Sequence, residues 1–235
     1  MDLGYVITGL GRSGTTFLAH VFKNAGYDLG DVSTEEIGVN GPVGGGMEHK
    51  EFARVNMRLQ SCITTFWTSG NTKESKPPSI EEMLIIGRPM FNQKWPFVLK
   101  DPRFCDTSWI WHAAGYRPKH LFLCMRNPYE RIASVREMTK LKTVDEQHHI
   151  ALVQKTYYRY FSVYNTQLLC LENDIPLTLV HYPRIGKDQE YAEKILSPFI
   201  NNPWSVVSEV WQSTMHHQQS DMKLYQPHLP GDREL

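Results

Sequence analysis

The chain has 235 residues, 41% of them hydrophobic and 21% charged, which is ordinary for a globular protein and excludes wholesale disorder. With 16 glycines and 14 prolines it is neither collagen-like nor a linker. Lysine plus arginine equals aspartate plus glutamate at 25 each, so net charge gives no ground for a nucleic acid or an anionic membrane as partner, and any bound anion must be held by a local cluster.

In chain order, Tyr5–Thr8 is a short β-type run. It feeds the glycine-rich Gly9-Leu10-Gly11-Arg12-Ser13-Gly14-Thr15-Thr16, after which Phe17, Leu18, Val21 and Phe22 recur at helical spacing. Residues 26–47 show no periodicity, and Gly44-Gly45-Gly46 is expected to be mobile. Phe52, Val55, Leu59 and Ile63 predict a helix over His49–Cys62. Thr68–Ser79 has loop composition, and Ile80–Gly87 a short helical pattern. Pro96–Lys100 reads as a buried strand ended by Asp101-Pro102. His120–Met125 reads as another strand, followed by a helix that begins near Pro128. A long helix over Val144–Asn173, a strand over Leu177–Val180 and a helix over Tyr191–Phe199 complete the pattern. Strands alternating with helices predict an α/β fold in three layers, with a central parallel sheet of about four to five strands flanked by helices. A single domain, 1–235, of this size buries roughly 70–75% of its unfolded surface. Residues 215–235 are expected to be a peripheral tail.

Cys62, Cys105, Cys124 and Cys170 are too scattered for a CxxC pair and read as reduced thiols of a cytoplasmic-type compartment. The first residues lack a basic stretch followed by an apolar one, so no secretory leader is expected in them. No apolar run approaches the ~20 residues that a membrane span takes.

A strand, a G-x-x-x-x-G turn and a helix form the phosphate-cradling arrangement, in which loop N–H groups and the positive helix end converge on an anion. Gly9 and Gly14 have the spacing of a nucleotide P-loop and Thr16 its Ser/Thr slot, but Thr15 stands in the lysine slot. A lysine-free loop is poorly suited to the β- and γ-phosphates and Mg²⁺ of a nucleoside triphosphate. Arg12 supplies a cation inside the loop itself.

Arg12-Ser-Gly-Thr-Thr-Phe resembles the 5′-phosphosulfate loop of sulfotransferases that use 3′-phosphoadenosine 5′-phosphosulfate (PAPS), in a short, bacterial-type form. That resemblance implies a second element, an Arg at a strand end and a Ser eight residues on; Arg126 and Ser134 have that separation. It implies that Gly11, Arg12, Ser13, Gly14, Thr15 and Thr16 hold the 5′ side of the donor and that Arg126 and Ser134 hold its 3′-phosphate. Tyr182, at a strand end, falls in the slot of an aromatic beside the adenine, although Pro183 and Arg184 replace the acidic pair usual after it. The implied activity is in-line transfer of a sulfuryl group to a hydroxyl or amine acceptor, with 3′,5′-adenosine bisphosphate as product and no metal. Lys100-Asp101-Pro102 is similar to a motif of bacterial-type and tyrosylprotein relatives; Pro102 stands where animal cytosolic relatives have a catalytic His.

The candidate catalytic residues are thus Arg12, Lys100, Asp101 and Glu48. Either carboxylate can serve as general base, with Glu35, Glu36 and His49 as competitors. Residues 26–95 are expected to form an acceptor-side insertion. The acceptor stays open among sugars, lipids, small alcohols, phenols and peptides. Trp67, Trp109 and Trp111 are candidates for its pocket or for the core. The adjacent pairs His148-His149 and His216-His217 do not share a helix face and predict no metal site. Two other readings stay open: a P-loop nucleoside or small-molecule kinase, and a non-catalytic nucleotide-binding module.

Overall fold

The computed structural model describes residues 2–32, 46–68, 79, 81–85, 94–138 and 146–214. Four strands form one all-parallel sheet: β1 (Asp2–Gly9), β2 (Val98–Lys100), β3 (Arg117–Met125) and β4 (Leu177–His181), in the order β2-β1-β3-β4. β1 is central, with Ile7 opposite Lys100 on one side and Gly9 opposite Cys124 on the other. From Tyr5 onward in β1, and along β2 and β3, side chains alternate, so neighbouring residues feed opposite faces of the sheet.

On one face Leu3, Val6, Leu99, Leu121 and Leu123 pack with α2 (Lys50–Thr68), α3 (Phe104–Ala113) and α5 (Glu146–Glu172). On the other Ile7, Val98, Phe122, Cys124 and Val180 pack with α1 (Thr15–Asn24), α6 (Gln189–Leu196) and α7 (Pro203–Thr214). The chain between β3 and α5 forms α4 (Pro128–Met138). The helix after β1 therefore covers one face, while the chain after β3 leads to the other. That divergence opens a crevice at the carboxyl ends of β1 and β3, where open α/β sheets hold ligands.

The expected elements form with shifted ends. α2 runs six residues past Cys62, and the strand expected from Pro96 begins at Val98. The short helical pattern forms over 81–85, where Ser79 and Glu82 cap each other reciprocally. Two helices had no sequence signal. α3 buries Phe104, Cys105, Thr107, Ser108, Ile110 and Trp111 on several sides, so it carries no single apolar stripe. α7 is rich in valine and tryptophan, which favour strands as readily as helices. Gly46 also departs from expectation: it is buried and its carbonyl accepts from Lys100 Nζ. Residues 33–45, 69–78 and 215–235, including Gly44 and Gly45 of the glycine run expected to be mobile and the peripheral tail, lie outside the described residues.

Candidate functional site

The loop from Gly9 to Thr16 leaves the carboxyl end of β1. Gly9 has φ 142°, and a Cβ there would lie 2.4 Å from the Cys124 carbonyl oxygen, so only glycine lets β1 pass β3 this closely. Ser13 ties the turn together: its N–H and its hydroxyl both donate to the Leu10 carbonyl, at 3.1 and 2.5 Å. Arg12 (φ 70°) and Gly14 (φ 91°) are left-handed. Left-handed residues alternating with ordinary ones turn successive N–H groups toward one side, a nest for an anion. Gly14 is the N-cap of α1, no side chain caps that end, and the first turn carries no acid. The positive end of the helix is therefore left to an anion.

The chain after β3 clasps this loop. Arg12 Nε donates to Ser134 Oγ at 3.1 Å. Arg126 Nη1 donates to the Arg12 carbonyl at 3.2 Å, and Arg131 Nε to the Gly11 carbonyl at 2.9 Å. Tyr160 hydroxyl donates to the Arg126 carbonyl at 2.6 Å. Tyr182 is 8% exposed; its ring packs on Gly14, where a Cβ would come within 2.5 Å, and the Arg126 guanidinium lies 5.3 Å from the ring centroid. Arg12, Arg126, Ser134 and Tyr182, far apart in sequence, thus meet around one loop.

Lys100 ends β2 on the other side of the loop. Its side chain is 2% exposed, and Nζ donates to Thr16 Oγ1 at 3.1 Å, to Glu48 Oε1 at 2.5 Å and to the Gly46 carbonyl. Glu48 Oε2 is buried and has no hydrogen-bond partner among the described residues. His20, one turn along α1 from Thr16, has its pKa lowered by burial and then by Lys23 and Lys100, which favours a neutral imidazole at neutral pH.

Asp101 points to the opposite face. It is fully buried, accepts from Arg103 N–H at 2.8 Å and from Asn56 Nδ2 at 3.1 Å, and pairs with Arg103 Nη1 at 3.4 Å. Asn56 in turn accepts from Thr107 Oγ1 and Trp111 Nε1, at 2.7 and 2.8 Å. Burial pushes Asp101 up from 3.8 to about 6, against the opposing pull of Arg103. A carboxyl with a raised folded pKa binds its proton more tightly when folded. Its stabilising contribution is full below pH 3.8 and is lost as pH rises through about 6. We expect the unfolding free energy of the wild type to fall between those limits, relative to Asp101→Asn, by about 1.4 kcal/mol per pH unit. Urea denaturation at a series of pH values measures it; parallel curves for the two proteins would contradict the assignment.

The sequence reading passed over Asn56 and Arg131, and took Tyr160 for a core or helix-surface aromatic of the long helix. Asn56 did leave a trace, as a polar residue within the apolar face of Phe52, Val55 and Leu59. Trp111 is fully buried in the core, and Trp109 Nε1 donates to the Asp106 carbonyl at 3.1 Å. The side chains of Trp67, His148 and His149, and all of Glu35, Glu36, His216 and His217, fall outside the described residues. His49 is half-buried against Trp95 and Gly30, with a pKa lowered by burial. All four cysteines are free thiols. Among the described residues no group of three His, Cys, Asp or Glu could hold a metal ion, and no helix is long and apolar enough to cross a membrane.

No family model and no curated protein matches the chain. Among solved structures it is similar to the sulfotransferase STF9 from Mycobacterium avium, at 11% identity and a TM-score of 0.42, over 94% of this chain and 69% of that one.

Proposed function

We propose that the chain is a PAPS-dependent sulfotransferase acting on a hydroxyl or amine acceptor. The observation that carries this reading is the Arg12–Ser134 hydrogen bond: it joins a lysine-free anion loop to a second anion site, Arg126 with Ser134, at one end of the sheet. Two anion sites side by side suit an adenosine with phosphates at both its 5′ and 3′ positions. The residues present fit such a donor, because the loop offers an uncapped helix end, two left-handed residues and a cation, with no acid in the first turn to repel an anion.

When bound, PAPS would supply the sulfuryl group, the acceptor oxygen or nitrogen forming the new bond to sulfur while the electron pair of the broken S–O bond stays on the leaving phosphate. Loop N–H groups and the Thr15 and Thr16 hydroxyls hold the 5′-phosphate. Arg12 balances the negative charge that grows on that phosphate, and Arg126 and Ser134 hold the 3′-phosphate. Tyr182 braces Gly14 and Arg126 and would lie beside the adenine. Lys100 balances charge on the sulfuryl oxygens. Glu48 takes the acceptor proton at Oε2, as its other oxygen is engaged by Lys100. Asp101 has both oxygens occupied and serves the α2–α3 junction instead.

Calorimetry in EDTA is expected to show 3′,5′-adenosine bisphosphate binding more tightly than 5′-AMP by about 1–3 kcal/mol, the range for a set of charge-assisted hydrogen bonds. Arg126→Ala is expected to erase the preference. Equal affinities in the wild type would end the 3′-phosphate assignment, and tighter binding of Mg-ATP would favour phosphoryl transfer. Turnover of radiolabelled PAPS with mixed acceptors then separates an enzyme from a binding module.

A further inference from the structure

We propose that Arg131 is a positioning residue for the anion loop, acting through the Gly11–Arg12 peptide. This rests on the nucleotide reading above. Arg131 lies on α4, is 6% exposed, and donates Nε to the Gly11 carbonyl at 2.9 Å. In a planar trans peptide the N–H points opposite to the carbonyl. Fixing the Gly11 carbonyl toward α4 therefore directs the Arg12 N–H away from α4, into the hollow of the loop. Arg126 does the same for the next peptide through the Arg12 carbonyl. Two arginines of one segment thus set two successive peptide planes of the nest, and Arg12 itself is held left-handed at φ 70°.

The bond to Gly11 is one role that the buried guanidinium performs. A buried cation carries a desolvation cost of several kcal/mol, and a well-packed apolar side chain commonly fills such a place with no loss of stability. The surroundings add to the cost. Burial, and then the neighbouring Arg159, lower the Arg131 pKa to about 10. Arg159 is itself paired with Asp106 at 3.0 Å, and Asp106 also accepts from Gln60. Arginine suits the task because its Nε–H has a direction fixed by the guanidinium plane, which a lysine ammonium lacks.

The test is nucleotide binding to the full chain, with 5′-AMP and adenosine 3′-phosphate as separate probes. Arg131→Met keeps length and apolar packing. It is expected to weaken 5′-AMP about tenfold, the scale of one misdirected N–H donor, and to leave adenosine 3′-phosphate within about twofold. Arg131→Lys keeps the charge; it is expected to weaken 5′-AMP by an intermediate factor and again to spare the 3′-ligand. It also serves if the methionine variant does not fold. Equal loss of both ligands would reduce Arg131 to general charge or scaffolding, and no loss of 5′-AMP would remove the role; either overturns the inference while the nucleotide reading stands. Failure of the wild type to bind either probe would overturn that reading, and this inference with it.

Discussion

Glu48→Gln is expected to lower kcat for sulfuryl transfer by about 10²–10⁴, the range for losing a positioned general base. The substitution is close to isosteric. The amide oxygen can still accept from Lys100, so the buried contact at 2.5 Å survives in kind and folding should too. What disappears is the basicity at Oε2, the oxygen left without a partner among the described residues. Asp101→Asn makes the comparison sharp. Both Asp101 oxygens accept hydrogen bonds, so an amide must set a donor against Asn56 Nδ2 or Arg103 N–H. Its main expected effect is a loss of stability of about 1–3 kcal/mol, with kcat changed far less. An unchanged kcat in Glu48→Gln, or a larger kcat loss in Asp101→Asn, would exchange the two roles.

Much of the scaffold was legible because it rests on local rules. The short β-type run of β1, the glycine-rich turn and helical spacing after it identified the strand–loop–helix, and Gly9 and Gly14 proved to be places where a side chain would collide with Cys124 or Tyr182. Arg126 and Ser134 were found only by resemblance, since the spacing alone fits any helix surface. Arg131 could not be found that way. Five residues after Arg126, it reads as an ordinary solvated helix position, and only the placement of α4 against the loop buries it. Lys100 was placed near the crevice as the end of a strand, but its three acceptors come from α1 and from Gly46 and Glu48, which tertiary packing alone brings together. Lys100 and Asp101 also illustrate strand alternation: adjacent residues with opposite charges do not pair, because they face opposite sides of the sheet.

Lys100→Met is expected to act on stability and on rate by separable routes. Removing the ammonium leaves Glu48, only 6% exposed along its side chain, as a buried carboxylate with neither oxygen compensated. Breaking a buried pair from one side typically destabilises by about 3–5 kcal/mol. The double variant Lys100→Met/Glu48→Gln removes the orphaned charge and should recover most of that loss, so the two substitutions should be strongly non-additive in urea denaturation. The rate should behave differently. If Lys100 balances charge on the sulfuryl group as it transfers, its loss should lower kcat by about 10²–10³, the scale of one preorganised donor in a water-poor site. The double variant, restored in stability, should be slower than Glu48→Gln alone by a similar factor, which separates a lysine kept for chemistry from one kept to neutralise Glu48. A double variant no slower than Glu48→Gln alone would reduce Lys100 to a structural counter-ion. Additive stability losses would mean that the ammonium and the carboxylate are not the coupled pair that their geometry shows.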